Sequence, residues 1–271
     1  MRPSVTSERL SAARSCVADV ARLGRELPLF PVERTMQLAP VAEARAAAAV
    51  RVGWATMFLK AYALVALEMP VLRSWLAGRV RPRLATADRS VATLAVNRIE
   101  DGADRLLWTR ITAPETLPLP QIQRTVDDSL TKPLDEAFPR QLELEGLPAA
   151  LRRTILRWNM RSASPKRATR IGTFSLSTLA GLGATNRFHP TLCTTSLSYA
   201  PLEADGRCLV TLIADHRVVD GAAVARALQR LEQVLARDIV SEIASLRGAP
   251  STAEPRADGD PPPAAGPRAA A

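Results

Sequence analysis

The strongest periodic signal in the chain is a run of large apolar residues spaced three and four positions apart between Gly53 and Met69. This spacing places the apolar side chains on one face of a helix, and Pro70 ends the run. Further helical patterns cover 7–26, 121–129 and 222–235. In the last of these, the apolar stripe consists of Val224, Leu228, Leu231 and Leu235. These patterns predict the main helices of the fold.

Six shorter stretches show the alternation or the apolar runs that are typical of β-strands. They cover residues 32–38, 90–96, 106–111, 172–179, 194–199 and 207–214. Asp101 and Gly102 separate the second stretch from the third and predict a turn. The last stretch is apolar on both faces, which predicts an interior strand. Because strands and helices alternate without a regular βα period, the pattern favours an α+β sandwich over a doubly wound fold.

Between residues 135 and 170 the chain is polar and basic, and it carries a further helical pattern at 147–161. Leu151, Ile155 and Trp158 lie on one face of that helix, and its arginines lie largely elsewhere. Two interpretations stay open. The helix docks on a membrane surface or an acidic partner, or it packs as a surface helix on its own domain.

The end of the sequence differs in composition from the rest. Residues 248–271 are rich in proline, alanine and glycine, with scattered charges. Such a segment has too few large apolar residues to form a packed core. We therefore expect one domain at 1–247, followed by a disordered tail at 248–271.

The chain has a formal net charge of +9 and a pI near 10.6, and nearly all of its positive charge is arginine. Its only lysines are Lys60, Lys132 and Lys166. Two explanations remain: a GC-rich genome, or attraction of an anionic partner such as a phosphate-bearing cofactor, an acidic protein or a membrane surface. Nucleic acid is not expected as a partner, because aromatic residues make up only 4% and no basic segment is interleaved with them.

The three cysteines, Cys16, Cys193 and Cys208, are odd in number and lack C-x-x-C spacing. Neither a disulfide framework nor a metal site is therefore expected, and Cys193 and Cys208 are interpreted as core thiols. Residues 1–13 have no apolar core of a signal peptide, and no run of about 18 apolar residues indicates a membrane span. We expect a cytoplasmic, reduced protein.

The residue best suited to chemistry is His216, which follows the predicted interior strand and stands four residues before Asp220 and Gly221. An imidazole can take a proton from a thiol or hydroxyl near neutral pH, which is worth about 10² to 10⁴ in rate. Asp220 can fix nearby backbone or pair with an arginine, and Gly221 lets the chain turn without a Cβ clash. The other histidine, His189, is interpreted as a loop residue, with a place near a substrate channel as the alternative.

The octet at 215–222, DHRVVDGA, closely resembles the signature of the acyltransferase (E2) catalytic domain of 2-oxo acid dehydrogenase complexes. That domain shares its fold with chloramphenicol acetyltransferase. The segment at 172–179, GTFSLSTL, is similar to the family's G-T-F-T-I-S-N-L. The helix at 52–69 and the strand pair within 92–110 are similar to its conserved helix and central strands. The resemblance covers about 14–235 and implies a two-layer sandwich of a mixed β-sheet and helices.

The resemblance also implies roles for individual residues. His216 would be the general base, and Ser177 would donate a hydrogen bond to the tetrahedral oxyanion. Asp220 would hold the active-site loop, with Arg14 and Arg22 as candidate partners. The implied assembly is a homotrimer with active sites between subunits, where His216 meets Ser177 of its own chain or of a neighbour. The acyl group would pass from a thioester such as acyl-CoA to a thiol or hydroxyl acceptor, without an acyl-enzyme.

The sequence departs from the family pattern in several places. No lysine lies in the family's lipoylation context, so no bound lipoyl group is expected on this chain. The tail at 248–271 replaces the apolar end that builds large family cores, which favours a plain trimer. The loop at 180–193 and the strands after it are trimmed relative to the family.

Three hypotheses follow. The first is a stand-alone acyltransferase that uses acyl-CoA and an unidentified acceptor. The second is an E2-type partner that acts on lipoyl groups carried by another protein. The third is a non-catalytic scaffold that docks through the helix at 147–161. The intact His-Asp-Gly motif argues against the third, because a scaffold has no need of a histidine at the cleft.

Overall fold

A six-stranded mixed sheet organises the computed structural model, which describes residues 3–246. The strands are β1 (Leu29–Gln37), β4 (Val91–Glu100), β5 (Ala103–Thr112), β6 (Phe174–Leu176), β7 (Thr195–Tyr199) and β8 (Arg207–Asp215). Their order across the sheet is β1-β8-β7-β6-β4-β5. The pairs β4–β6 and β6–β7 are parallel, and the others are antiparallel. The predicted α+β fold with a mixed sheet is confirmed, with β8 in the interior.

Helices cover one face of the sheet and enclose the main apolar core. They are α2 (Ala39–Ala46), α3 (Trp54–Glu68), α4 (Leu119–Thr131), α9 (Gly221–Val234) and α10 (Val240–Ser245). A π-helical turn at Leu235–Ile239 joins the last two, so the predicted final helix continues beyond its expected end. Helix α3 is buried on nearly all sides, as expected for a helix that is apolar all round. Its Lys60 is paired with Glu242 of α10.

Part of the opposite sheet face carries a second helical cover. It consists of α1 (Ala12–Gly24), α6 (Pro139–Gly146), α7 (Ala149–Arg161) and α8 (Lys166–Ile171). The short helix α5 (Leu134–Ala137) packs against the main core instead. The sequence predicted one helix between 135 and 170, whereas the structure has four elements there. Each begins at a proline, either as the cap or as the first residue. Proline is favoured at helix starts, but helices this short have no readable period.

Helix α7 packs on α1 through ion pairs. Arg152, which is 2% exposed, lies 2.7 Å from Asp19, and Arg153 lies 3.2 Å from the same carboxylate. Arg157 and Arg161 reach Glu26 at 2.6 and 3.4 Å. The arginines of this helix are therefore engaged within the chain, which favours the interpretation of a surface helix packed on its own domain.

A small hairpin of β2 (Ser74–Ala77) and β3 (Arg83–Thr86) lies apart from the main sheet. No pattern in the sequence predicted this hairpin. None of the described helices is long and apolar enough to cross a membrane. The predicted tail at 248–271 lies outside the described residues.

Candidate active site

His216 lies immediately after β8, where the strand leaves the sheet. Its backbone N–H donates to the carbonyl of Pro28 at 3.1 Å, which ties this turn to the residue before β1. The imidazole packs against Phe30 with 4.6 Å between ring centroids. The side chain is still 58% exposed. The ring is therefore oriented by a neighbour but accessible to a substrate.

Asp220 lies beside His216 at the start of α9. Its Oδ1 is 3.6 Å from Nδ1 of the imidazole, which is beyond hydrogen-bond range, and its side chain is 86% exposed. Neither Arg14 nor Arg22 forms an ion pair with Asp220 in the part of the chain that the structure describes. The predicted arginine clamp is therefore not formed within one chain.

A different carboxylate anchors this turn. Asp215, buried at the end of β8, accepts hydrogen bonds from the side chain of Arg217 at 2.7 to 3.2 Å and from its backbone N–H at 3.1 Å. Such a bidentate pair fixes both the distance and the plane of the two groups. The residue between them, His216, is held in place as a consequence.

Ser177 follows β6, and its backbone N–H donates to the carbonyl of Leu197 at 3.0 Å. Its side chain is half-buried and makes no hydrogen bond to any described residue. The hydroxyl lines a cavity of about 800 Å³ on the face of the sheet under α1, α6 and α7. It is therefore free to donate to a molecule bound there.

Gly172 explains why the segment that leads to Ser177 needs a glycine. Its φ is +101°, and a Cβ at this position would come within 2.3 Å of Oγ1 of Thr93 on the adjacent strand. The Thr93 hydroxyl donates to the carbonyl of Ile171 at 2.7 Å, so it cannot easily move. The glycine lets β6 run directly against β4, and this register directs Ser175 and Ser177 toward the cavity.

The cavity has both apolar and polar walls. The walls come from α1, α6, α7 and the outward positions of β4 and β5, among them Val17, Val20, Ala95, Leu106, Leu144 and Ile155. Its volume is within the range of sites for small molecules. Ser177 lines it and His216 does not.

His189 also lines this cavity, in agreement with the alternative interpretation of that residue. Its Nε2 lies 2.6 Å from Oγ of Ser196, and its Nδ1 lies 3.2 Å from Nδ2 of Asn186. Ser175 donates to Ser196 at 2.6 Å and lies 2.9 Å from Oγ1 of Thr191. Burial lowers the pKa of His189 to about 4, so its ring is neutral at pH 7.

This lowered pKa predicts a loss of stability in acid. An unfolded histidine titrates near 6.5, so between about pH 6.5 and pH 4 the unfolded chain takes up a proton that the folded chain does not. The full loss attributable to His189 is about 3 kcal/mol. We expect His189→Gln to remove this part of the pH dependence, as measured by urea unfolding at pH 7, 5.5 and 4.5. Parallel pH profiles for the two proteins would contradict the assignment.

The register of the strands shows that His216 and Ser177 of one chain are far apart. Ser177 lies level with Ser198 of β7, which pairs with Thr211 of β8. His216 follows Thr211 by five positions, so it lies roughly 16 Å away along the strands and about 10 Å across them. One carbonyl cannot contact both side chains, so they can act together only if they come from two copies of the chain.

In sequence comparisons, the chain matches no protein-family model and no curated protein. Comparison of structures gives clear matches. A dihydrolipoamide acetyltransferase from Azotobacter vinelandii superposes with a TM-score of 0.64 over 89% of this chain and 94% of its own, at 20% identity. The catalytic core of the 2-oxoacid dehydrogenase complex from Thermoplasma acidophilum gives 0.63 over 86% and 99%, at 16% identity.

A chloramphenicol acetyltransferase gives a TM-score of 0.50 over 87% of this chain and 100% of its own, at 14% identity. The chain has the chloramphenicol acetyltransferase-like fold. The fold expected from the resemblance to E2 catalytic domains is therefore confirmed. At these identities the matches establish the fold, and the activity has to be argued from the site.

Two cavity residues were missed in the sequence. Arg110 was assigned only to a strand, and Ser175 was not distinguished from its neighbours. Both follow from strand alternation: Leu107 and Ile111 face the apolar core, which turns Arg110 to the other side. The sequence did not indicate that α1, α6 and α7 also cover the sheet face on which Arg110 lies.

Proposed function

We propose that the chain is an acyltransferase that moves an acyl group from a thioester, acyl-CoA, to a thiol or hydroxyl acceptor. The observation that supports the proposal is that one chain presents both an accessible, oriented His216 and, separately, a Ser177 hydroxyl without a hydrogen-bond partner among the described residues, which lines a cavity. In the A. vinelandii acetyltransferase, the roles of a serine, a histidine and an asparagine in the catalytic mechanism have been investigated. That asparagine follows the histidine by four residues, as Asp220 follows His216.

The chemistry balances without an acyl-enzyme. The imidazole of His216 takes the proton of the acceptor thiol or hydroxyl, and the acceptor atom attacks the thioester carbonyl carbon. The Ser177 hydroxyl donates a hydrogen bond to the oxyanion that forms. As the oxyanion collapses, the carbon–sulfur bond breaks, and the CoA sulfur takes the proton back from the imidazolium.

This mechanism requires an assembly, and we propose a homotrimer. His216 lies outside the cavity of its own chain, so a neighbouring copy must bring it to the mouth beside Ser177. A ring of three identical heterologous contacts would form three equivalent sites. One of the structures with this fold is the cubic core of a pyruvate dehydrogenase complex, so the fold can form symmetric assemblies.

A second candidate differs in the acceptor. Several structures with this fold are dihydrolipoamide acetyltransferases or 2-oxoacid dehydrogenase cores. The same two residues would then act on lipoyl groups that another protein carries. The scaffold hypothesis is weaker, because the arginines of α7 are already paired with Asp19 and Glu26.

The test is thiol release from a panel of acyl-CoAs, with and without dihydrolipoamide, alongside CoA binding by calorimetry. Turnover with a simple thiol or hydroxyl acceptor supports the first candidate, and turnover that requires dihydrolipoamide supports the second. A folded trimer that neither turns over any donor nor binds CoA would refute both.

A further inference from the structure

Arg110 is a half-buried cation that lines the cavity. It lies on β5, and the alternation of that strand directs Leu106, Trp108 and Arg110 to the cavity face. Its Nε is buried without a hydrogen-bond partner, and its guanidinium forms no ion pair or hydrogen bond with any residue between 3 and 246. Removing a cation from water without giving it a partner costs free energy. Proteins therefore normally place an anion or a hydrogen-bond acceptor beside such a group.

No other group deep in the cavity supplies the missing negative charge. His189 is neutral, and its Nε2 lies within hydrogen-bond distance of the Ser196 hydroxyl. The Ser175 hydroxyl donates a hydrogen bond to the same Ser196 oxygen. Burial raises the pKa of the Cys193 thiol, so this residue is protonated at pH 7. Burial likewise lowers the pKa of Arg110, which reflects the cost of its charge in this place.

Further cations surround the cavity at exposed positions. Arg140, Lys166 and Arg170 are exposed lining residues, and Glu143 is the single carboxylate among the lining side chains. An opening with an excess of one sign of charge attracts ligands of the other sign. Apolar side chains such as Leu106, Trp108 and Ile155 line the same cavity.

We infer that the cavity binds a small molecule with an apolar chain and a carboxylate, and that the carboxylate pairs with Arg110. A guanidinium with no partner in the protein can bind the two oxygens of a carboxylate in a bidentate fork. The inference rests on the proposed function only in assigning this molecule to the acyl donor or to the acceptor.

The test compares hexanoate with hexanamide, which has the same length without the charge. Binding is measured by calorimetry and by tryptophan fluorescence, since Trp108 and Trp158 line the cavity. We expect hexanoate to bind at least about tenfold more tightly than hexanamide. Arg110→Met should bind the two equally, and Arg226→Gln, which removes an exposed cation of α9 that does not line the cavity, should keep the preference.

A merely structural role for Arg110 would give a different result. If the guanidinium is an uncompensated charge kept for binding, Arg110→Met should unfold at the same or a higher temperature than the unliganded wild type. Equal binding of hexanoate and hexanamide by the wild type, or an unchanged preference in Arg110→Met, would overturn the inference.

The two proposals fail separately, because the binding experiment needs no turnover. Carboxylate binding without acyl transfer would refute the proposed function and support the inference. If acyl transfer is found, KM is compared in wild type and Arg110→Met for acyl donors and for acceptors that carry a terminal carboxylate. A raised KM for one of the two substrates shows that this substrate carries the carboxylate bound by Arg110. No change in either KM refutes the assignment of the bound molecule to the donor or the acceptor.

Discussion

Replacing His216 with alanine is expected to lower kcat/KM for acyl transfer by about 10² to 10⁴. The imidazole is the accessible base at the end of β8, and alanine cannot take the acceptor proton. The fold should persist, because the side chain is 58% exposed and the turn is held by Asp215 and Arg217. The measurement is the initial rate of thiol release with the preferred acyl-CoA and acceptor.

Chemical rescue separates a base from a structural residue at this position. Because the site is open to solvent, added imidazole should reach the gap in His216→Ala and restore part of the rate. Glu203→Gln, an exposed change near the turn before β8, should behave like the wild type with and without imidazole. If His216→Ala keeps wild-type activity, the assignment of the general base is wrong.

Long, strongly periodic elements were predicted well from the sequence. Helix α3 and the β4–turn–β5 hairpin were found within a few residues of their bounds, because their side chains repeat at the period of the structure. Helix α2 and strand β3 were missed. Strand β3 is almost entirely exposed, so it lacks an apolar alternation, and it pairs with β2 through contacts such as Ser74 to Thr86.

The candidate site was predictable only in part. His216 and Ser177 were found because each lies in a short motif whose neighbours also matter structurally, as Gly172 does for β6. Their separation depends on the register between the consecutive strands β6, β7 and β8, and no local pattern encodes that register. The charge of Arg110 acquires meaning only once α1, α6 and α7 cover its face of the sheet.

Ser177→Ala is expected to lower kcat by about 10² to 10³, the usual cost of removing one oxyanion donor. The donor is needed most when charge builds on the carbonyl oxygen, so KM for the acyl donor should change little. The native hydroxyl has no hydrogen-bond partner among the described residues, so its loss should leave the melting temperature unchanged. Ser245→Ala, which removes an exposed hydroxyl on α10, is the control for the substitution itself.

The two inactive variants together test whether the site is shared. His216→Ala and Ser177→Ala chains are co-expressed with different tags, and mixed assemblies are isolated by two affinity steps. In every mixed trimer, about one third of the sites combine an intact His216 with an intact Ser177 from the neighbour. We therefore expect mixed assemblies to regain activity far above that of either parent. If both residues had to come from one chain, no mixture could recover, because every chain lacks one of them. An inactive mixed trimer would contradict the shared site. That site is inferred from the strand register, which places the two side chains too far apart to act within one copy.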